Sequence, residues 1–211
     1  MSDQPPASGA AAPVKTKDRI LGTSAELFRR QGYNGTGLKQ IVAAANAPFG
    51  SLYHFFPSGK EQLGEEVIRW SGNVYLELIA AVCDPAPDVV TAIGDFFTGA
   101  AEHLRETDYA DACPIATIAL EVASTDETLR AATADVFTDW IDAGARRLAG
   151  TGLHEDVRRR LIIGIITSLE GAFVLCRALR STEPLEAASR TVLHAARTEL
   201  SEHATANAQP L

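Results

Sequence analysis

Cysteine is scarce in this chain and poorly placed for chemistry. Cys83, Cys113 and Cys176 are odd in number and widely scattered, with no C-x-x-C spacing and no histidine at metal-ligand distance. That pattern excludes a disulfide framework and a zinc site, and buried thiols are the expectation. Aromatics are only 7% of the 211 residues, and β-branched runs bounded by turn residues are few, while alanine is abundant. A sheet has little to build on, so an all-α chain is expected. No G-x-G-x-x-G, Walker loop, H-E-x-x-H or nucleophile elbow occurs, and His54, His103, His154, His194 and His203 are scattered. No catalytic residue, metal ligand or cofactor is therefore expected, and the chain does not read as an enzyme.

Two further absences bear on location. The opening "MSDQPPASGAAAPVK" has no charged segment leading into an apolar one. It reads as a disordered tail over residues 1–14 rather than a secretory signal. The apolar stretch "LIIGIITSLEGAFVLCRAL" from Leu161 is cut by Glu170 and bounded by Arg158, Arg159, Arg160 and Arg177. A buried core helix is expected there, not a membrane span, and the protein is expected in the cytoplasm with no membrane partner.

What is present is an ordinary globular composition, 46% hydrophobic and 22% charged, enough for one or two cored domains. The net charge of -8 is unevenly spread. Residues 1–60 hold seven Lys and Arg against three carboxylates, a net +4; the remainder holds twelve against twenty-four, a net -12. A basic N-terminal module on an acidic body suits a protein that meets a polyanion at one end.

In "KTKDRILGTSAELFRRQGY", Ile20, Ser24, Leu27 and Phe28 share one helical face and Gly32 ends the pattern. Thr36 offers an N-cap hydroxyl to a second helix over about Gly37–Ala45, with Leu38, Ile41 and Val42 at helical spacing. Asn46 tolerates the left-handed conformation that a tight turn needs, and Pro48 suits the first turn of a third helix, "PFGSLYHF". Two short helices held by Ile41, Leu52 and Phe56 form a helix-turn-helix, whose second member can enter a DNA major groove. Gly50 in a helix interior costs on the order of 1 kcal/mol, a cost explained if backbone must come close to a partner. Further helices are read over 59–82, Asp88–Glu106, Pro114–Ser124, Asp126–Ala149, Glu155–Arg180 and Glu183–Ala204. The expected domains are 15–63 (helix-turn-helix) and 64–204 (a larger helical body), with a flexible C-terminus over 205–211.

The wording of "AELFRRQGY" (Ala25–Tyr33), "TGLKQIV" (Thr36–Val42) and "GSLYHFFPSGKEQL" (Gly50–Leu63) resembles the N-terminal domain of the TetR family of bacterial transcriptional regulators. It is most similar to the LmrA/YxaF-like branch, whose ligand domain "ACPIATIALEVA" from Ala112 resembles more weakly. The resemblance implies double-stranded operator DNA as partner. Thr36 and Lys39 would meet phosphate; Pro48, Phe49, Gly50 and Ser51 would open the recognition helix at base edges; Tyr53 and His54 would flank the groove; Lys60 would bind phosphate. Three residues depart from the family pattern: Asn46 stands for the usual Gly, Phe49 for a polar or basic residue, and Phe55 for Tyr or His. Phe49 removes a donor and offers apolar contact to a thymine methyl instead, and Phe55 forfeits a phosphate contact.

The resemblance also implies a homodimer through Glu155–Arg180 and Glu183–Ala204, and a small-molecule effector in the body. Phe96, Phe97, Trp140 and Phe173 are candidates to line its pocket. Glu121 and Glu170 fall in apolar helical segments, a placement compatible with pairing a cationic ligand and equally with a salt bridge or a solvated face. The expected function is a ligand-responsive regulator, a repressor in the first reading. A helical carrier or scaffold that has lost specific DNA binding is the alternative, motivated by Phe49, Phe55 and the acidic body.

Overall fold

A computed structural model of the chain describes residues 15–208. The tail expected over 1–14 and the last three residues lie outside that range. The described residues form α1 (Thr16–Gln31), α2 (Leu38–Ala44), α3 (Phe49–Phe55), α4 (Lys60–Cys83), α5 (Val89–Glu106), α6 (Pro114–Val122), α7 (Glu127–Arg147), α8 (Glu155–Leu179) and α9 (Glu183–Ala208), with one 3-10 turn, Leu148–Thr151. No strand occurs among them, as the composition leads one to expect.

Local chemistry sets most boundaries. α1 stops where Gly32 takes φ 80, a conformation open to glycine without a Cβ penalty. α5 and α7 start at Asp88 and Asp126, whose carboxylates accept the Thr91 and Leu129 backbone N–H at 2.9 and 3.0 Å. Pro114 fills the first turn of α6, where its missing N–H costs nothing. α9 continues through Ala208, so residues 205–208, expected within a flexible C-terminus, are helical. No Gly or Pro interrupts "SEHATANA", and alanine is the strongest helix former.

Side chains from α1, α2, α3, α4, α6 and α7 share one core, with Ile20, Phe28, Ile41, Leu52, Phe56, Leu63, Ile68, Ile118 and Leu129 fully enclosed. That core runs through residues 63 and 64, which both lie inside α4, so α4 belongs to the N-terminal unit and to the body alike. A second core joins α5, α8 and α9 through Phe97, Leu104, Leu169, Cys176, Leu185 and Ala196.

α8 corrects the expectation of a buried core helix. It is long and apolar enough to cross a membrane, with a mean hydropathy of 1.8, yet only 28% of its apolar window is buried within the chain. Leu169, Ala172 and Cys176 point inward. Ile163, Val174, Leu175 and Leu179 are 43%, 59%, 53% and 64% exposed. α8 is apolar on two faces, and the chain itself covers one of them.

Candidate nucleic-acid interface

The turn between α2 and α3 is built from both ends. Asn46 adopts φ 48, as expected of a residue that tolerates the left-handed region. The Ala47 N–H bonds back to Val42 O at 2.9 Å, closing the end of α2. Arg19 of α1 donates to Ala45 O at 3.2 Å and to Asn46 O at 3.4 Å, placing a cation against the carbonyl end of α2. Sequence reading missed Arg19, since nothing in the local pattern indicates a partner 26 residues away. Ile41, Leu52 and Phe56 are completely buried, as anticipated.

α3 is anchored by Leu52, its one fully buried residue. Pro48, Phe49, Gly50, Tyr53 and His54 are exposed, and Ser51 is half-buried. Pro48 is the N-cap residue of α3 rather than part of its first turn. Phe49 and Tyr53, 43% and 48% exposed, lie one turn apart with ring centroids 5.7 Å from each other. Among the described residues outside its own helical turn, nothing lies within 4 Å of where a Gly50 Cβ would sit, so no tertiary contact requires glycine there. Phe55 is half-buried and packs against the core, so its ring is part of the fold and not of the exposed face. Lys39 is exposed on α2.

Two expected contacts have other employment. The Thr36 side chain is 1% exposed and its hydroxyl donates to Gly32 O at 2.7 Å. α2 opens at Gly37 with no side-chain cap, so the expected N-cap and surface hydroxyl at Thr36 are corrected to a buried bond closing the α1–α2 corner. The Lys60 ammonium sits 4.4 Å from the Tyr33 ring centroid, a cation–π contact. Burial holds the Lys60 amine below its usual range, and the Tyr33 phenol is pushed up to about 12, again mainly by burial.

The six effector candidates are spread over different parts of the body. Glu121 faces the N-terminal unit: its carboxylate accepts the Tyr33 and Asn34 backbone N–H at 3.0 and 2.8 Å. It is a structural bracket between α6 and the α1–α2 corner. Phe96, Phe97 and Phe173 belong to the second core. Trp140 belongs to the first, where its indole N–H donates to Gly72 O at 3.0 Å and its ring meets Tyr75 and Phe137. Trp140 also edges a cleft of about 170 Å³ between α4 and α7, with Arg69, Asn73, Leu76 and Asp139. Glu170 lies against Cys113, and burial raises its carboxyl to about 7. Burial likewise raises all three thiols, which makes them poor nucleophiles. Among the described residues no group of histidine, cysteine and carboxylate side chains is arranged to hold a metal.

A short helix, exposed on one face, set by a clamped turn behind another short helix and carried on a helical body, defines a helix-turn-helix DNA-binding protein. Comparison with known proteins takes this further. Residues 20–67 match the bacterial regulatory protein family tetR, and residues 89–191 match the C-terminal domain of LmrA/YxaF-like transcriptional regulators. The HTH-type transcriptional regulator YxaF of Bacillus subtilis is 36% identical over 81% of this chain and 89% of its own. LmrA of the same organism, also an HTH-type transcriptional regulator, is 29% identical over 81% and 90%. The crystal structure of a TetR transcriptional regulator from Legionella pneumophila superposes with a TM-score of 0.77 at 23% identity, covering 86% of this chain and 97% of that one. The chain belongs to the TetR family: it is a DNA-binding transcriptional regulator and not an enzyme.

Proposed function

We propose that this regulator is a ligand-responsive repressor. A homodimer grips palindromic operator DNA with one α3 from each protomer and releases it when a small molecule occupies the body. The observation that carries this reading is the α3 surface: Pro48, Phe49, Gly50, Tyr53 and His54 are all turned to solvent while Leu52 and the half-buried Phe55 anchor the helix to the core. The outward apolar face of α8 supports a dimer, with α9 beside it, because monomers rarely leave such a contiguous stripe uncovered. Release is a coupling free energy: a ligand that prefers a body arrangement misplacing the two α3 helices binds more weakly when DNA is bound. α4, common to both units, is the lever. A protein that works on chromosomal DNA in a bacterium works in the cytoplasm.

In the repressor, Lys39 meets phosphate and the opening of α3 meets base edges. Each neutralised phosphate contributes roughly 0.9 to the salt slope of binding. The test is a fluorescence-anisotropy titration against DNA from the gene's own upstream region and against a scrambled duplex, at two salt concentrations. Sequence-dependent binding is expected, and Lys39→Ala flattens the salt slope by about 0.9 for each phosphate that lysine neutralises. Equal, weak binding of both duplexes would contradict the proposal.

Two expectations concern α3 itself. Gly50→Ala adds a Cβ into open space and a better helix former, so thermal melting should show a gain of about 0.5 kcal/mol. The same Cβ stands between backbone and base edge, so operator affinity falls in the same variant; a gain in both would remove Gly50 from the interface. Phe49 has neither donor nor acceptor, and the thymine methyl is the apolar group that the major groove displays. Replacing the contacted thymine by uracil removes one methyl and is expected to weaken binding about fourfold, with no such effect for Phe49→Ala.

A further inference from the structure

Two carboxylates of the body hold the corner where α1 turns into α2. Glu121, on α6, receives the Tyr33 and Asn34 N–H groups through its two oxygens. The corner is shaped to admit it: a Cβ on Gly32, already at φ 80, would lie 2.0 Å from Glu121 Oε1. Asp111, before α6, is 3% exposed and receives two guanidinium groups and an imidazole, Arg29 Nη2 at 2.7 Å, Arg30 Nε at 3.0 Å and His103 Nε2 at 3.3 Å. Both arginines lie in the last turn of α1. Backbone donors and guanidinium groups together fix the position and the rotation of residues 29–34.

The loop that presents Asp111 is itself held in an unusual shape. Asp108 and Tyr109 are consecutive non-glycine residues with φ 48 and 58. Such residues persist only where surroundings impose them. The bonds that close α5, Asp108 N–H to Arg105 O at 3.1 Å and Tyr109 N–H to Leu104 O at 2.7 Å, set this turn, and the end of α8 fastens onto it: Arg177 Nε donates to Tyr109 O at 3.4 Å, and Arg180 donates to Asp108 O and lies over the Tyr109 ring. Arg180 is also left-handed, φ 53, as the residue that closes α8. α8 is the helix whose outer face, at Val174, Leu175 and Leu179, is left uncovered.

We propose that Arg180, Asp111 and Glu121 are positioning residues that tie the dimer-forming end of α8 to the α1–α2 corner, and so set the spacing and tilt of the two α3 helices across the operator. None of them touches DNA. The connection runs from Arg177 and Arg180 to the 108–109 backbone, from there three residues on to Asp111, and from Asp111 to Arg29 and Arg30. Glu121 completes the hold one turn beyond. The proposal rests on the dimeric operator reading above, and its test is arranged to separate the two.

Wild-type protein selects a palindromic duplex from a random pool, and affinity is measured for that duplex, for a single half-site, and for versions with one or two base pairs added or removed at the centre. Glu121→Gln and Arg180→Ala are then compared with wild type. Glutamine accepts one N–H but turns an amide donor toward the other, and Arg180→Ala frees the loop from a point remote from DNA. Both variants should bind the full palindrome about tenfold more weakly and discriminate less between spacings, while half-site affinity changes by less than about twofold. A structural role confined to the N-terminal unit would lower half-site and full-site affinity together, and that result overturns the proposal, as does an unchanged spacing profile in both variants. Should Glu121→Gln not fold, Arg180→Ala decides, because its contacts lie on the surface of the body. A wild-type protein that prefers the palindrome no more than the half-site overturns the dimer reading itself.

Discussion

In the dimer proposed above, Val174→Asp is expected to convert the protein to a monomer and to reduce operator affinity by two orders of magnitude or more, roughly the gain that tethering a second half-site supplies. Val174 is 59% exposed and stands in the middle of the uncovered α8 face, with Leu175 and Leu179 beside it and Gly171, also exposed, one turn before. A two-fold interface brings the same patch of each protomer together. The substitution therefore introduces two like charges into one desolvated surface, where a single unpaired buried charge already costs several kcal/mol. The fold should survive, because Val174 belongs to neither core. Sedimentation equilibrium reads the assembly and circular dichroism the helix content. A variant that stays dimeric with full affinity would place the interface elsewhere.

Replacing Glu170 by glutamine is expected to stabilise the protein above neutral pH and to remove a pH dependence. Burial raises the Glu170 carboxyl from 4.5 to about 7, with the Cys113 thiol pulling weakly the other way. The folded state therefore binds a proton more tightly than the unfolded state does. The sign follows: this group favours folding fully below about 4.5, its contribution is lost progressively as pH rises to about 7, and above that the buried anion is a standing cost. A difference of that size corresponds to a cost on the order of 3 kcal/mol at pH 8, an upper bound for a carboxyl that is not completely enclosed. Denaturant titrations of wild type and Glu170→Gln at pH 4.5 and pH 8 check it. The two proteins should differ little at the lower pH, and the glutamine variant should be the more stable at the higher. A constant difference at both values would show that the Glu170 carboxyl ionises over the same pH range in the folded and unfolded states and would contradict the burial effect.

The helix pattern was legible in the sequence because helix signals are local. Gly32 ends α1, Asp88 and Asp126 start α5 and α7, and Asn46 makes the turn between α2 and α3 by conformations available within a few residues. Periodicity likewise identified Ile41, Leu52 and Phe56 as the residues that lock the helix-turn-helix together. The exposed face of α3 followed from that anchoring.

Destinations of polar side chains were not legible. Glu121 lies in an apolar segment and reads as a ligand contact or a solvated charge, yet its partners are backbone groups 87 and 88 residues earlier. Thr36 reads as a helix cap and is instead bonded backward into the corner that Glu121 holds. Phe96, Phe97, Trp140 and Phe173 look alike as apolar helix positions and divide between two cores. For the same reason α8 reads as a core helix. Hydropathy shows that a residue is apolar but not whether its own chain or a second copy covers it.

By itself, then, the sequence determined the helices, the helix-turn-helix and the basic end of the molecule, because each rests on spacing and charge within one segment. Only the tertiary structure decided that the body grips the α1–α2 corner through Asp111 and Glu121, and that the described residues leave one apolar face of α8 exposed. Those features depend on which distant groups the packed helices bring within hydrogen-bond reach, and no local pattern encodes that distance.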